Sequence, residues 1–452
     1  MRKHNFLSLF LIFSLLISLF LPVSASAAED FDIQAKGAVL VEASTGEILY
    51  EKSCHQEMYP ASITKVMTAL LVLEAIDSGT ISLADSVSAS SSAYETLSAD
   101  GSTANIKVGE VLSVEQLLNC MLIVSANEAC NILAEHVCGD VASFVDKMNE
   151  RAQELGCKNT HFVNATGLHD SQHYTSAYDI YLIVRECMTH ELFMKICNSK
   201  SAEIPATNLS DKRTLHSTNA LISNWRRTGY LYRDAQGIKT GSTPEAGQCL
   251  VSSAVRGSRK LISVVLGAEQ LTLEDGSTKV MSFSETARLF EHGFNDFSRR
   301  QIISDAEPIC EVPVSLSSET NYVVVHPAET LEYMLPNDLP IDQLERDITL
   351  VDSAEAPIAA GDELGEMTLS YRGKVYATVP LLALSDVSAS WLLVARRNIA
   401  RFFARPLVRI IAAAVVLAVV AFFVLRGIGR PSRRRYGRSR VSSRSSYRGR
   451  RR

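Results

Sequence analysis

The chain has 452 residues, 46% of them hydrophobic and 21% charged, which is typical of folded protein and excludes disorder over most of the length. The formal net charge of −5 is unevenly distributed, because Arg2, Lys3 and residues 396–452 hold 19 of the 45 basic residues. The rest has 26 basic and 50 acidic residues, a net charge of about −24, so we expect no nucleic-acid partner for this acidic body.

The first 27 residues have the pattern of a secretory signal peptide. After the basic start, an apolar stretch covers residues 6–21, and the small residues Ala-Ser-Ala follow at 25–27. We expect cleavage after Ala27. An uncleaved membrane anchor is the alternative, because the apolar stretch is long.

Residues 31–298 are predicted to form an α+β domain. The segment AVLVEASTGEILYEKS predicts two strands joined by a turn, and four segments with helical periodicity follow it. Strand patterns return in AGQCLVSSAVRGSRKLISVVLGA, before a last helix, SETARLFEHGFNDF. This order favours helices packed on an antiparallel sheet.

The C-terminal third has a different composition. Residues 303–386 contain short β-like runs such as NYVVVHP and KVYATVPLLAL, which predict a small β domain. Residues 388–406 alternate apolar and arginine residues at helical spacing, as in an amphipathic juxtamembrane helix.

Residues 407–428 are predicted to cross a membrane, because IIAAAVVLAVVAFFVL and its apolar flanks approach the ~20 residues that a bilayer requires. A buried core helix is the alternative, but the sequence that follows does not supply a core around it. The Arg/Ser-rich tail, residues 429–452, completes a segment with twelve arginines from Arg426 onward and no acidic residue. By the positive-inside rule the tail is cytoplasmic and the preceding domains are extracytoplasmic.

The segment YPASITKVMTALL contains Ser62 and, three residues later, Lys65. On a helix these side chains share one face and can exchange a proton if the amine is neutral. Ser62 also falls in the first turn, where a backbone N–H has no helical partner and can stabilise an oxyanion. A helix-capping serine is the alternative interpretation of this motif alone.

Two further motifs favour the chemical interpretation. IVSANEAC places Ser125 and Asn127 at a helix start, and GIKTGSTPEAGQCL places Lys239, Thr240 and Gly241 at the start of a predicted strand. The glycine allows a ligand to approach the strand backbone closely. Ser-x-x-Lys, Ser-x-Asn and Lys-Thr-Gly, in this order, are the signature of penicillin-binding proteins and class A β-lactamases.

The surrounding sequence, including MNERAQELGCKNTHFVNATGLHD, YTSAYDIYLI and HSTNALI, resembles the D-alanyl-D-alanine carboxypeptidases, serine peptidase family S11. These are the low-molecular-mass penicillin-binding proteins of bacterial cell walls. The resemblance covers about residues 31–298 and continues into the β domain. It implies a β-lactamase/transpeptidase-like catalytic domain, removal of the terminal D-alanine from peptidoglycan stem pentapeptides, and no cofactor or metal.

The resemblance also implies residue roles. Ser62 would be the nucleophile that forms the acyl ester, and Lys65 the base whose ammonium form is disfavoured by burial and by a second cation. Ser125 would relay a proton to the departing D-alanine. Asn127 would hold the substrate amide or the lysine amine.

Substrate binding would fall to the third motif. A charged Lys239, with Thr240 and Gly241, would bind the peptide's free carboxylate. The backbone N–H groups of Ser62 and Ser242 would form the oxyanion hole.

The chain departs from the family pattern at several positions. Ala126 stands where glycine is usual, Ser242 where a larger residue is common, and Ser282 where an arginine that binds the substrate carboxylate is expected. Lys279 is the candidate substitute for that arginine. Metal ligation by His161, His169 and His173 is the disfavoured alternative to a structural role.

The sequence also bears on functions other than the carboxypeptidase. A β-lactamase needs a glutamate about 35–40 residues after Ser125, and NTHFVNATGL has none there. A β-lactam or wall-fragment sensor, acylated at Ser62 without turnover, is the alternative from another class, although the tail contains no signalling module. A wall-binding protein with a dead site is disfavoured because all three motifs keep their chemical residues.

The expected protein is therefore an enzyme of the bacterial cell membrane. Its catalytic domain is extracytoplasmic, its C-terminal helix is in the membrane, stem peptides are its substrates and β-lactams its inhibitors. The nine cysteines lack a C-x-x-C pair, so most are expected to be buried thiols.

Overall fold

The computed structural model describes residues 31–99 and 101–428, which form two compact units. The first contains the chain up to Arg300 together with Met334–Leu339, and the second contains Gln301–Tyr333 and the chain from Pro340 onward. The predicted signal peptide and the predicted Arg/Ser-rich tail lie outside the described residues.

The first unit combines strands and helices. Its strands are β1 (Gly37–Glu42), β2 (Ile48–Lys52), β3 (Ser86–Ser88), β4 (Val111–Ser113), β5 (Ser201–Ile204), β6 (Arg213–His216), β7 (Ala235–Thr243), β8 (Gly247–Arg256), β9 (Arg259–Ala268), β10 (Gln270–Thr272) and β11 (Thr278–Val280). Its helices are α1 (Lys65–Asp77), α2 (Val114–Ile123), α3 (Asn127–Cys138), α4 (Val141–Glu154), α5 (Ala177–Cys187), α6 (Glu191–Cys197) and α7 (Met281–Asn295).

A five-stranded antiparallel sheet, in the order β2-β1-β9-β8-β7, forms the middle layer of this unit. All six residues of β1 are buried, because the sheet is covered on both faces. Val39 and Val41 belong to the core that includes α1, while Ala38 and Leu40 belong to the core that includes α7. The predicted α+β architecture, with helices on an antiparallel sheet, is confirmed.

Helix α1 is apolar on all sides because it lies in the interior, with ten of its 13 residues buried. Lys65 is its first residue and has no exposed surface. The helix thus holds a titratable amine inside the protein, at the edge of the sheet layer.

The prediction that Lys239 starts a strand is wrong by four residues. Strand β7 begins at Ala235, and its pairing with β8 shifts register between Gln236 and Lys239. That irregular start, in the weakly strand-like sequence AQG, is the reason that periodicity did not reveal it. The Lys-Thr-Gly motif therefore lies in the second half of the strand.

The chain continues through β strands into two C-terminal helices. The strands are β12 (Phe297–Ile303), β13 (Cys310–Ser315), β14 (Tyr322–Pro327), β15 (Leu331–Pro336), β16 (Glu345–Leu350), β17 (Ala354–Glu355), β18 (Glu363–Tyr371) and β19 (Lys374–Ala383), and the helices are α8 (Trp391–Ala404) and α9 (Pro406–Ile428).

A six-stranded sheet, in the order β16-β18-β19-β14-β13-β17, dominates the second unit. Alternate residues of its strands, such as Met367, Leu369, Val379 and Leu381, are buried as expected for one covered face. The predicted small β domain is confirmed. In α9, Pro406–Arg426 is a 21-residue stretch with a mean hydropathy of 2.9, long and apolar enough to span a membrane.

Candidate active site

The serine and lysine of the first motif are in hydrogen-bond contact. Ser62 lies in a short 3-10 turn, Ala61–Thr64, that leads directly into α1. The Lys65 Nζ donates to Ser62 Oγ over 2.9 Å. The Ser62 side chain caps neither this turn nor α1, so the capping interpretation is excluded.

Two further oxygens fix the Lys65 amine. Its Nζ donates to Asn127 Oδ1 over 2.8 Å and to the carbonyl oxygen of Thr166 over 2.6 Å. Burial lowers the pKa of Lys65 below its ordinary value, because the charged form loses water. Asn127 therefore contacts the lysine amine, one of its two expected partners, and its contact with a substrate amide stays a prediction.

The second and third motifs meet in the same way. Lys239 Nζ donates to Ser125 Oγ over 2.9 Å and to the Thr240 carbonyl oxygen over 2.9 Å. Burial lowers the pKa of Lys239 well below its ordinary value, and the charge of Lys65 lowers it further. Each ammonium therefore disfavours the other, and the charged Lys239 expected from the sequence stays a prediction.

Gly241 is required by the packing of the nucleophile itself. A Cβ atom on Gly241 would lie 2.9 Å from the Pro60 carbonyl oxygen and 3.1 Å from the backbone nitrogens of Ser62 and Ile63. The sequence predicted that this glycine allows a ligand to approach the strand. In the structure it allows the turn that carries Ser62 to pack closely against the strand. This contact brings the backbone of β7 against the nucleophile.

The loop at residues 164–168 has no chemical role predicted from the sequence, yet it supplies the Thr166 carbonyl oxygen that accepts a hydrogen bond from Lys65. Asn164 Oδ1 accepts hydrogen bonds from the backbone N–H groups of Thr166 and Gly167, which shapes the loop. At Gly167 the φ angle is +82°, and a Cβ there would meet the Ala61 carbonyl oxygen at 1.9 Å. The available signal was the motif NATGLHD, which occupies the region where a β-lactamase glutamate was sought.

His173 supports the same turn from the interior. Its Nδ1 accepts the Val163 N–H over 3.1 Å, so the proton resides on Nε2, which donates to Thr64 Oγ1 over 2.7 Å. Thr64 Oγ1 in turn donates to the Ala61 carbonyl oxygen over 2.9 Å. His173 is therefore structural, and the described residues contain no group of three His, Cys, Asp or Glu side chains that could hold a metal.

The Ser-Ala-Asn motif tolerates its alanine. Ala126 has φ −59° and ψ 121°, which any residue adopts, and its methyl group is buried in the core. The methyl group therefore does not narrow the cleft. The left-handed residue of the motif is Ser125, at φ 65°, a conformation that a non-glycine residue adopts only when its surroundings hold it.

These residues open onto a cleft of about 460 Å³. Thr218 Oγ1 is 2.7 Å from Thr240 Oγ1, and Gln248 Nε2 donates to Ser242 Oγ over 3.0 Å, which orders one wall. The lining residues are Ser62, Ser102, Ser125, Thr218, Arg226, Arg227, Thr240, Gly241, Ser242, Gln248, Cys249, Ser282 and Phe283. The eight residues predicted to act in catalysis or substrate binding thus line this cleft or contact a residue that does.

Comparisons with known proteins agree with this geometry. The family described as D-alanyl-D-alanine carboxypeptidase matches residues 23–270, and the family described as penicillin-binding protein 5, C-terminal domain, matches residues 297–389. The D-alanyl-D-alanine carboxypeptidase DacF of Bacillus subtilis is 33% identical over 354 residues, 78% of this chain and 86% of that protein. DacD of Escherichia coli is 31% identical over 362 residues, 79% of this chain and 87% of that protein.

Solved structures are similar as well. The carboxypeptidase DacD from Francisella tularensis has a TM-score of 0.64 at 25% identity, over 80% of this chain and 95% of that one. Penicillin-binding protein 5 from Haemophilus influenzae has a TM-score of 0.58 at 29% identity, over 79% of this chain and 98% of that one. With its serine and two buried lysines around one cleft, the chain belongs to the D-alanyl-D-alanine carboxypeptidase family and is a serine-type carboxypeptidase of the penicillin-binding protein class.

Proposed function

We propose that this carboxypeptidase removes the terminal D-alanine from peptidoglycan stem pentapeptides through an acyl-enzyme on Ser62. The observation that supports the proposal is the 2.9 Å contact between Ser62 Oγ and a fully buried Lys65 amine whose pKa is lowered by burial. A neutral amine can accept the hydroxyl proton, which an ordinary surface lysine at neutral pH cannot do.

In the acylation step, Ser62 Oγ attacks the carbonyl carbon between the two terminal D-alanines while its proton passes to Lys65 Nζ. The backbone N–H groups of Ser62 and Ser242 stabilise the oxyanion. The C–N bond then breaks, and the leaving amine takes the proton held by Lys65, relayed through the Ser125 hydroxyl, so Lys65 becomes neutral again. The Ser125 hydroxyl is 2.9 Å from Lys239 Nζ. Water subsequently hydrolyses the ester and restores the Ser62 hydroxyl.

The substrate's free carboxylate lies against Lys239 and Thr240 in this proposal. Its negative charge raises the pKa of Lys239 and so offsets the effect of burial. Positive charge then resides on Lys239 when substrate is bound, which further favours a neutral Lys65. Substrate binding thus favours the neutral form of Lys65, which then accepts the Ser62 proton.

A single assay tests the proposal. The purified full-length protein in detergent is incubated with a pentapeptide ending in D-Ala-D-Ala, and released D-alanine is measured beside labelling by a fluorescent penicillin. We expect both release and labelling, and the loss of both in Ser62→Ala. Labelling without release would instead favour the sensor, and labelling of a folded Ser62→Ala protein would contradict the assignment of the nucleophile.

We also propose that α9 anchors the protein with both folded units outside the cytoplasm and the arginine tail inside. The support is the 21-residue apolar stretch followed by an arginine-rich sequence. Protease added to intact spheroplasts should degrade the catalytic unit and spare an epitope placed at the C-terminus. Protection of the catalytic unit would contradict this orientation.

A further inference from the structure

The cleft has a cationic wall that the proposed mechanism does not use. Arg226 and Arg227, on the segment between β6 and β7, both line it, and among the residues that the structure describes none that lines the cleft is acidic. Within residues 31–99 and 101–428 neither arginine forms a side-chain hydrogen bond or an ion pair. Two guanidinium groups with no described partner, in a body with a net charge of about −24, indicate a site for an anion.

Aromatic stacking holds this segment against the third motif. Trp225 stacks on His216, with ring centroids 3.7 Å apart and an interplanar angle of 13°. His216 ends β6, and two residues later Thr218 contacts the Thr240 hydroxyl. The backbone before Arg226 is therefore tied to the strand that carries Lys239.

Arg226 is close enough to Lys239 for their charges to interact. Burial is the main cause that lowers the pKa of Lys239, and the charges of Lys65 and Arg226 lower it further. An anion bound between Arg226 and Lys239 would relieve this repulsion.

The start of α7 provides no competing cation. Ser282 lines the cleft, whereas Lys279 is exposed on β11 and is absent from the cleft lining among the described residues. The suggestion that Lys279 replaces the expected arginine therefore stays a prediction, and no cleft contact among the described residues supports it. Arg226 and Arg227 supply cations elsewhere in the same cleft lining.

We propose that Arg226 binds the terminal carboxylate of the substrate in place of a cation at position 282. This assignment rests on the proposed function, since it names the group that the cleft recognises in a D-Ala-D-Ala peptide. A guanidinium suits the role because it can donate two parallel hydrogen bonds to one carboxylate. Arg226 is thus a specificity-determining residue that favours substrates with a free C-terminus.

The test measures kcat/KM of the full-length protein for a peptide ending in D-Ala-D-Ala with a free carboxylate and for its C-terminal amide. We expect Arg226→Gln to lower kcat/KM for the acid by about 10- to 100-fold and to change that for the amide little. Adding Ser282→Arg to that variant should restore discrimination, because position 282 faces the same cleft. Arg233→Gln is the matched control, because Arg233 is 92% exposed and outside the cleft lining.

The outcomes separate the two proposals. Unchanged acid-to-amide discrimination in a folded Arg226→Gln protein, an equal loss in Arg227→Gln, or no restoration by Ser282→Arg would each overturn the assignment to Arg226. A wild-type protein that releases no D-alanine would overturn the proposed function instead. In that case the rate of acylation by penicillin, which also has a free carboxylate, measures carboxylate binding. Arg226→Gln should slow this acylation about tenfold, and adding Ser282→Arg should restore the rate. An unchanged acylation rate in Arg226→Gln would overturn the assignment to Arg226.

Discussion

Burial distinguishes Lys65 and Lys239 from the other lysines that the structure describes. The Nζ atom of each donates a hydrogen bond to a serine hydroxyl, and burial lowers the pKa of both. In water each would be charged at neutral pH, and neither could accept a proton. Because the two amines repel each other's charge, the proposed mechanism has an anionic substrate place the positive charge on Lys239.

His173 provides a prediction for pH. Burial lowers its pKa to about 4, from an ordinary value of 6.5 that we expect in the unfolded chain. Between these values the unfolded chain binds more protons than the folded one, so stability falls as the pH drops from 6.5 toward 4. The contribution is complete above pH 6.5, and its loss is on the order of 3 kcal/mol.

The measurement compares wild type with His173→Gln by denaturant unfolding of the catalytic unit at pH 7.5, 5.5 and 4.5. The wild-type advantage should shrink by about 1.4 kcal/mol for each pH unit below 6.5. Asp170, His161, His169 and Lys65 act on the same group, but the substitution leaves all four in place. A difference that stays constant with pH would show that His173 is not neutral in the folded protein.

Three backbone segments meet at Ser62: the turn that carries it, strand β7 and the loop at Gly167. Their close contacts fix the position of the nucleophile. The turn Ala61–Thr64 packs against β7 at Gly241 and against the loop at Gly167. Both glycines are positions where any side chain would displace backbone rather than a flexible neighbour. The placement of the nucleophile therefore depends on how these elements pack.

We expect Gly241→Ala to slow acylation of Ser62 by fluorescent penicillin by about 100-fold or more. The added methyl group would lie 2.9 to 3.1 Å from backbone atoms of Pro60, Ser62 and Ile63, so the turn must move away from β7. Crowding of this kind costs on the order of 1–3 kcal/mol in stability. Stopped-flow labelling measures the rate, and thermal unfolding of the same samples measures the cost.

Gly293→Ala is the matched control, because its methyl group would crowd only the side chains of Leu261 and Leu40 at 2.7 Å. It should lower stability by a similar amount and leave the acylation rate unchanged. If Gly241→Ala acylates as fast as Gly293→Ala, the close approach of β7 to the nucleophile has no catalytic importance.

The order of elements and the central residues of the site could be predicted because they leave local patterns. Apolar helices, strands and a Ser-x-x-Lys spacing are visible within a few residues. The Thr166 carbonyl and Arg226 could not be predicted in the same way. A backbone oxygen has no residue signature, and only the fold brings a segment 101 residues from Lys65 to its amine.

The C-terminal helices should serve only to attach the protein, and a shortened chain tests this. Among the described residues, none of α8 is buried, and the spanning stretch of α9 is 0% buried. The ion pairs of Glu355 with Arg397 and Arg401 are exposed surface contacts, which contribute little to stability. We therefore expect a chain ending after Ser390 to leave the membrane fraction and to be acylated by penicillin within about twofold of the full-length rate.

A chain ending after Arg405 keeps the amphipathic helix as a control, and it should bind anionic vesicles at low salt and dissociate from them at high salt. If the chain ending after Ser390 were still sedimented with membranes, or lost its acylation, attachment would not be the only role of these helices.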